Sequence, residues 1–303
     1  MLDVIVIGGG MAGMTASLYS LRNNKSVLIL EKEAVGGQIA KSPKVENFPT
    51  EKSISGEELS FSLFEQITEL GVQFELEDVL KVEKVYNKFI VTTNYNTYES
   101  KAVIIASGVK PRRLGLENEE KLIGNGIYYC AICDGPFYAG KDVTLIGDAN
   151  SALQYALMLS SYCSSVHVIT LFDKFFGEQV LQDAVRKTPN IKITHSAKAI
   201  KLLGENSLEG IIFEKPDVTT FEHKTNGVFV AIGQIPNNDV FANLVDLDKF
   251  GYIISDEDCK TKTAGLFVAG DCRTKKVRQV TTAVADGSIA ATNACMYISS
   301  LGE

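Results

Sequence analysis

The hydrophobic pattern of the chain contains one internal duplication. The apolar run DVIVIG at residues 3–8 recurs as DVTLIG at 142–147, an offset of 139 residues, and SVLIL at 26–30 lies over SVHVI at 165–169 without a gap. Each copy has the pattern of a βαβ unit: a short apolar strand, a glycine-containing turn, a helix and a second apolar strand. Chance similarity between two buried strands is the alternative, and the unbroken register argues against it.

Short runs of β-branched and aromatic residues predict further strands between and after the two copies. These strands are expected at 72–74, 79–85, 89–93, 102–106, 191–194, 200–203, 208–213, 227–232 and 265–269, with a last helix at about 282–299.

Two segments, KPRR at 110–113 and QIPN at 234–237, interrupt this rhythm and are expected to connect domains. The predicted architecture is therefore α/β, with two Rossmann-like dinucleotide-binding domains, the second inserted into the first. Residues 1–112 and 237–303 would form the first domain, and residues 113–236 the inserted one.

The composition is that of a globular enzyme. With 45% hydrophobic and 22% charged residues in 303, the chain is neither disordered nor of low complexity. A net charge of -7 repels nucleic acid phosphates and anionic lipid. The uncharged stretch 4–21 contains four glycines and lacks a preceding basic region, which argues against a signal peptide or membrane anchor. The six cysteines of the chain are too few and too scattered for the disulfide framework of a secreted protein. We therefore expect a cytoplasmic protein without a nucleic acid or membrane partner.

A G-x-G-x-x-G loop follows the first predicted strand. Gly8 permits the tight turn, Gly10 lets the backbone approach a pyrophosphate, and Gly13 lets helix and strand pack closely. The helix that follows presents N–H groups to the phosphates. Glu31, at the end of the second strand, is an acceptor placed for ribose hydroxyls. Together these features predict a dinucleotide site.

The pair Cys130 and Cys133, followed by Asp134, allows three interpretations. Structural zinc needs four ligands, and the sequence has no second C-x-x-C or H-x-x-x-H. The cysteines can also be incidental buried residues. A dithiol/disulfide couple fits best, because this spacing allows a small reversible ring and a lowered thiol pKa, with Asp134 able to move a proton to or from a thiolate. The other four cysteines are interpreted as packing residues. They are Cys163, Cys259, Cys272 and Cys295.

At this point a family resemblance becomes specific. The glycine loop and Glu31 occur together with GGQ at 36–38, ENFP at 46–49, CAICDG at 130–135, GD at 270–271 and RQV at 278–280. This set resembles the low-molecular-weight flavin thioredoxin reductases over essentially the whole chain, and the CAICDG segment is its most specific element. The resemblance implies FAD in the first domain, thioredoxin as partner and a homodimer.

The resemblance also implies roles for individual residues. The ADP half of FAD would be held by Gly8, Gly10, Ala12, Gly13 and Glu31, with Val79 near the adenine. Gly37, Gln38 and Asn47 would lie along the flavin and ribityl chain, and Asp271 would take the ribityl hydroxyls. The turn formed by Arg278, Gln279 and Val280 would bring a helix N-terminus, which stabilises anionic reduced flavin, to the pyrimidine end. Cys130 and Cys133 would be the disulfide that flavin reduces, with Cys133 the sulfur nearer the ring.

The second glycine loop departs from the pattern of NADPH-using members. Ala149 stands where a glycine would let the backbone approach the pyrophosphate, and its Cβ is in the way. Asp148 adds a negative charge beside the pyrophosphate, and this repulsion would weaken nucleotide binding by about 1 kcal/mol. The duplication places Thr170 over Glu31, so the carboxylate for an NADH ribose is missing. The next residues, LFDK at 171–174, replace the His-Arg-Arg run that would hold a 2′-phosphate.

The chain therefore most resembles the ferredoxin-dependent branch of this family, in which flavin pairs single electrons and passes them through the disulfide to thioredoxin. An acidic ferredoxin would need a basic landing patch. Four cations near the proposed flavin site are candidates, and the connector arginines Arg112 and Arg113 are two more. The four are Arg273, Lys275, Lys276 and Arg278.

Three other functions remain compatible with these residues. The protein can be an ordinary NADPH-dependent thioredoxin reductase that tolerates a weak nucleotide site. It can be an FAD-dependent dithiol oxidase that passes electrons to oxygen, which also needs no pyridine nucleotide. A non-enzymatic flavin redox sensor, whose disulfide changes a partner interface, is the third.

Overall fold

The computed structural model describes residues 1–42, 45–225 and 227–302. The chain divides into two compact units, one of residues 1–110 with 235–303 and the other of residues 111–234. Both units have the predicted α/β class, with a largely parallel sheet flanked by helices. The fold class that the sequence predicts is thus confirmed.

The strands are β1 Leu2–Ile7, β2 Val27–Glu31, β3 Gln73–Leu76, β4 Val79–Val85, β5 Lys88–Thr93, β6 Thr97–Ile105, β7 Val109–Pro111, β8 Ile127–Tyr128, β9 Asp142–Ile146, β10 Ser165–Ile169, β11 Ile191–Thr194, β12 Lys198–Leu203, β13 Gly210–Glu214, β14 Thr220–Lys224, β15 Val228–Val230, β16 Gln234–Pro236 and β17 Leu266–Val268. The helices are α1 Met11–Arg22, α2 Gly56–Glu69, α3 Glu119–Leu122, α4 Ala131–Asp134, α5 Asn150–Ser160, α6 Gln179–Lys187 and α7 Val280–Ser300.

The sheet of the first unit has the order β3-β2-β1-β6, with all four strands parallel. The long strand β6 also pairs with two further strands. Its first residues pair antiparallel with β5, and its last three pair in parallel with β17, which returns from the far end of the sequence. The carboxyl ends of β1, β2 and β17 consequently meet at one edge, where an open α/β sheet binds its ligands.

Strand β1 alternates between two cores because both faces of its sheet are covered. Val4 and Val6 point into the cluster that includes α1 and α7, whereas Ile5 and Ile7 point to the opposite side. A strand buried on both faces is a continuous apolar run, which is the pattern that the sequence shows here.

The second unit repeats this arrangement with the order β11-β10-β9-β15-β8, again parallel, and adds an antiparallel sheet β12-β13-β14. The duplication is visible in the strand register itself. Val4 lies opposite Val27 in the first unit, and Val143 lies opposite Val166 in the second, each residue being shifted by 139 positions.

Several elements differ from the sequence expectation for local reasons. Helix α2 was not predicted, although Ser55 and Glu58 form a reciprocal capping box at its start. Strand β14 was missed because its residues are mostly polar and hydrogen-bond along one edge of a small sheet. The two expected connectors are partly strand, since β7 and β16 pair with each other.

The four cysteines interpreted as packing residues are all buried. Helix α7 runs to Ser300, so the segment around Cys295 completes a helix. Within the described residues, no helix is both long enough and apolar enough to cross a membrane.

Candidate active site

The two cysteines of the CAICDG segment are joined by a disulfide in the second unit. Cys130 is the N-cap of α4, and its sulfur accepts a hydrogen bond from the main-chain N–H of Cys133 at 3.2 Å. Both residues are half-buried. Because a hydrogen bond to sulfur favours the charged form, Cys130 is the better placed of the two to become a thiolate after reduction.

Asp134 ends α4 and is only 7% exposed. Its main-chain N–H donates to the carbonyl oxygen of Cys130 at 3.0 Å, which fixes the turn that carries both residues. Burial raises the pKa of the Asp134 carboxyl to about 7. A carboxyl with such a pKa exists in both protonation states near neutral pH, so it can give or take a proton there.

A carboxylate that the sequence analysis did not single out braces the segment before the disulfide. Glu119 is buried and accepts two main-chain N–H groups at 2.8 Å and the hydroxyl of Tyr129. The guanidinium of Arg113 lies 4.5 Å from the centre of the Tyr129 ring. Tyr129 directly precedes Cys130, and this adjacency was the one signal available in the sequence. Arg113 is thus engaged within its own unit and is not the open landing cation that was expected.

Gly8 and Gly147 occupy equivalent turns in the two units. Their φ angles are +114° and +156°, and a Cβ would lie 2.3 Å from the oxygen of Ala106 at Gly8 and 2.5 Å from that of Ala231 at Gly147. Only glycine fits either turn, so the first glycine of both copies is required by the fold.

The two turns differ at the helix start. In the first unit, Gly10 is the N-cap of α1, no side chain caps the helix, and a Cβ there would meet no described atom closer than 3.9 Å. The first N–H groups of α1 therefore face a space that a pyrophosphate can enter. Gly13 packs the helix tightly, because a Cβ at that position would lie 1.9 Å from the Gly8 oxygen.

The carboxylate of Glu31 faces the same turn from the end of β2. One of its oxygens accepts the N–H of Gly9 at 2.7 Å, and the other accepts the N–H of Glu33 at 2.8 Å. These bonds hold the carboxylate beside the glycine loop, where the sequence analysis places ribose hydroxyls.

Asp271 follows β17 at the same edge of the sheet. Its Oδ1 atom is buried and has no hydrogen-bond partner among the described residues, and burial raises the pKa of its carboxyl. Gly270 brings this turn against α1, since a Cβ on it would lie 2.9 Å from the Cβ of Ala12. A buried carboxylate oxygen without a partner is costly, so the site fits a ligand that supplies hydroxyl donors, as a ribityl chain does.

The residues predicted along the flavin come from distant segments. Asn47 donates through Nδ2 to Oε1 of Gln279 at 3.2 Å, and Gln279 is the N-cap of α7, whose first residue is Val280. Gln38 donates through Nε2 to the carbonyl oxygen of Val109.

Gly37 lies next to the glycine loop, whereas the side chain of Val79 lies in the core. Gly37 has a φ of +62°, and a Cβ on it would lie 3.4 Å from the Cα of Gly10, so the two loops are neighbours. Val79 is 8% exposed, and its side chain is buried in the core of its unit. Any contact of Val79 with adenine would therefore come from its main chain.

The predicted patch of four cations is wrong for two of its members. Arg273 and Lys275 both bind the buried carboxylate of Asp286, at 2.7 and 2.8 Å, and their side chains are no more than 10% exposed. The sequence could not show these ion pairs, because Asp286 lies 13 positions after Arg273 and 11 after Lys275, within α7. Arg278 donates to the main-chain oxygen of Asp271 at 3.3 Å, and Lys276 is exposed.

The second glycine loop is covered by its own chain. The main-chain N–H of Phe176 donates to the main-chain oxygen of Asp148 at 2.8 Å. The main-chain N–H of Glu178 donates to the side-chain Oδ1 atom of Asn150 at 2.7 Å, and Asn150 is the first residue of α5. Ala149 is the N-cap of that helix. The Glu178 carboxylate also lies at the helix start, because its Oε1 atom accepts a hydrogen bond from Nδ2 of Asn150 at 3.2 Å, and a negative charge there disfavours a pyrophosphate.

At the position equivalent to Glu31, the second unit has Thr170 in place of a carboxylate. Thr170 is fully buried and donates its hydroxyl to the oxygen of Phe172, so it offers nothing to a ribose. Leu171, Phe172 and Phe176 are about half exposed, and the two phenylalanine rings are in edge contact at 5.1 Å. Leu171 and Phe172 belong to the segment 171–174, where the family resemblance leads us to expect guanidinium groups for a 2′-phosphate.

Comparison with known proteins places these sites in a family. Residues 2–287 match the family described as pyridine nucleotide-disulphide oxidoreductase. A "34.2 kDa protein in rubredoxin operon" of Clostridium pasteurianum is 40% identical over 98% of this chain and 97% of its own length, and a thioredoxin reductase of Bacillus subtilis is 36% identical over 99% and 96%. A crystal structure of thioredoxin reductase from Streptococcus pyogenes matches with a TM-score of 0.95 and 34% identity over 99% of both chains.

The fold, the disulfide and the dinucleotide turn define a thioredoxin reductase-like flavoprotein disulfide reductase. The chain belongs to the pyridine nucleotide-disulphide oxidoreductase family. Members of this family bind FAD, which confirms the cofactor that the sequence analysis expected.

Proposed function

We propose that the protein reduces the disulfide of thioredoxin with electrons that come from reduced ferredoxin and not from a pyridine nucleotide. The observation that carries the choice of donor is the state of the second glycine loop. Ala149 replaces the glycine, the segment 176–178 covers the helix start, and apolar side chains replace the arginines. All three features oppose the same ligand.

The first unit supplies the residues that would hold FAD. The α1 N-terminus with Gly8, Gly10, Ala12 and Gly13 would take the pyrophosphate, and Glu31 the ribose. The flavin and ribityl chain would contact six further residues, and the main chain of Val79 would meet the adenine. The six are Gly37, Gln38, Asn47, Asp271, Arg278 and Gln279, with the N-terminus of α7 at Val280 beside them. When bound, FAD gathers single electrons and delivers them in pairs.

The second unit supplies the dithiol. Two ferredoxins give up one electron each, and the Cys130–Cys133 disulfide takes two electrons and two protons to become two thiols. The Cys130 thiolate then attacks the thioredoxin disulfide and forms a mixed disulfide, which Cys133 resolves as the Cys130–Cys133 bond forms again. Asp134, whose pKa lies near 7, gives a proton to the thiolate that leaves.

Thioredoxin as substrate is supported by relatives of the same length that are named thioredoxin reductase. The same names favour the second candidate, an NADPH-dependent thioredoxin reductase with a weak nucleotide site. A homodimer is part of the proposal on the family likeness alone.

An anaerobic titration of the flavoprotein separates the two candidates. Flavin bleaching is followed on addition of NADPH, of NADH and of reduced ferredoxin, each with thioredoxin as final acceptor. Bleaching by ferredoxin alone supports the proposal, and rapid bleaching by NADPH at micromolar concentration establishes the second candidate. Turnover of dithiols that requires oxygen would identify an oxidase, and reduction that stops after one equivalent would identify a sensor.

A further inference from the structure

An open groove of about 490 Å³ lies in the first unit beside the loop that carries Asp271. Its lining includes two aromatic residues and three cations, namely Phe250, Tyr252, Lys275, Lys276 and Arg278. Arg278 joins the groove to the proposed flavin site, because its Nε atom donates to the main-chain oxygen of Asp271 at 3.3 Å.

The groove is positively charged although the whole chain is acidic. The Lys276 side chain is exposed, the Lys249 ammonium lies 5.0 Å from the centre of the Phe250 ring, and the Arg278 guanidinium lies 4.2 Å from that of Tyr252. Asp248 also lines the groove, and its Oδ1 atom is turned to the main-chain N–H groups of residues 250 and 252 at 2.8 and 2.9 Å.

The ion cluster beside the groove adds to this charge. Asp286 is one carboxylate that binds two cations, Arg273 and Lys275, so these three side chains together carry a positive charge, which the nearby Asp271 carboxyl offsets in part. Because its members are buried, solvent screens this charge less than it screens an exposed lysine.

Two apolar side chains stand among these cations. Phe250 is 67% exposed and Val277 is 54% exposed. An exposed aromatic residue next to lysine and arginine has the chemistry of an interface anchor with a polar rim.

We propose that this groove, with Lys249, Phe250, Lys276 and Val277 at its rim, is the docking site of an acidic iron–sulfur electron carrier of the ferredoxin class. The proposal rests on the proposed function and specifies where the donor binds. The net charge of -7 repels an acidic partner elsewhere on the chain, whereas the groove attracts it to the side of the loop that holds Asp271.

The test uses the complete flavoprotein and a double charge reversal, Lys249→Glu with Lys276→Glu. Stopped-flow bleaching by reduced ferredoxin is measured at low and at high ionic strength. We expect the bimolecular rate constant to fall at least tenfold at low salt, with the difference shrinking as salt rises, because charge steering is screened. Bleaching by dithionite, a small reductant that needs no docking, should be unchanged.

The matched control is Lys201→Glu with Lys224→Glu, two exposed lysines on β12 and β14 that change the net charge equally. Equal loss in both double variants would mean that net charge alone matters and would overturn the docking site. A rim variant that is bleached as fast as the native protein would also overturn it while the proposed function stands. If ferredoxin does not bleach the native protein at all, the proposed function fails and the docking site fails with it. Phe250→Ser should slow bleaching by ferredoxin at every salt concentration, since it removes the apolar anchor.

Discussion

The side-chain amide of Asn47 donates to the amide oxygen of Gln279 at 3.2 Å, across 232 positions of sequence. Two residues that the family resemblance places at the flavin, Asn47 along it and Gln279 in the turn at its pyrimidine end, thus contact each other directly. A side chain held by a hydrogen bond loses less conformational freedom when it binds a ligand, so FAD would meet two residues already held in place if it binds where we propose.

We therefore predict that Asn47→Ala and Gln279→Ala each weaken FAD retention and that the double variant loses less than the sum. A coupling of about 1 kcal/mol is expected from one such hydrogen bond. Flavin content after gel filtration and FAD titration of the apoprotein give the double-mutant cycle. Asn293→Ala, at a half-buried asparagine on the same helix, is the control and should retain FAD like the native protein. Strict additivity would show that the pair does not act as a unit.

Cys133→Ser and Cys130→Ser should each abolish thioredoxin reduction and leave FAD bound, because the disulfide lies in the inserted unit and not among the residues proposed to hold FAD. Activity is measured with ferredoxin as donor, and FAD by its visible absorbance. Cys295→Ala, at a buried cysteine of α7, should keep most of the activity. Measurable turnover of Cys133→Ser would refute the assignment of the disulfide.

Asp134 should give thioredoxin reduction a pH dependence. Since its pKa lies near 7, the protonated form that serves as acid is lost as the pH rises through 7, and the rate should fall with it. Asp134→Asn should lower the rate by about a hundredfold and remove this limb of the profile. Asp173→Asn, at an exposed carboxylate of the same unit, should leave the profile unchanged. An identical limb in Asp134→Asn would assign the titration to another group.

The same raised pKa predicts an effect on stability. Above pH 7 the folded protein holds an ionised, buried Asp134, whereas between pH 7 and about 4 the folded state binds a proton that the unfolded state does not. This carboxyl therefore destabilises the fold progressively as the pH rises from 4 to 7. Asp134→Asn should melt at a higher temperature than the native protein at pH 8, and the two curves should converge near pH 4.

Restoring the missing residues of the second glycine loop should restore the use of a pyridine nucleotide. A triple variant with Ala149→Gly, Leu171→Arg and Phe172→Arg should be bleached by NADPH at least tenfold faster than the native protein, because it restores space for the pyrophosphate and guanidinium groups for the 2′-phosphate. Leu76→Arg with Leu80→Arg, at two exposed leucines, adds the same charge as a control. A triple variant as inert as the native protein would show that other residues exclude the nucleotide.

Removing Asp286 should destabilise the first unit strongly. Asp286→Asn leaves Arg273 and Lys275 buried without their counter-charge, which costs about 3–5 kcal/mol. Chemical denaturation of the apoprotein measures this. The matched control is Asp246→Asn at an exposed ion pair with Lys262, where a loss of at most about 1 kcal/mol is expected. Similar small losses in both variants would contradict the view that the cluster is buried and tightly paired.

The sequence determined the parts of this protein that depend on local pattern. The duplication at offset 139 predicted a parallel βαβ unit in each copy, because a strand buried on both faces is a continuous apolar run, and the structure then shows the same strand register in both copies. The turn that carries Cys130 and Asp134 is equally local, since it is set by hydrogen bonds between residues a few positions apart.

Tertiary structure alone decided which side chains meet. Asn47 reaches Gln279, and Glu119 reaches Tyr129, through packing that no spacing in the sequence encodes. The same cause corrected the predicted cation patch: whether Arg273 faces solvent or a buried Asp286 depends on where α7 packs. Charge can be counted along a chain, but its screening and its partners depend on burial, and burial is a property of the folded molecule.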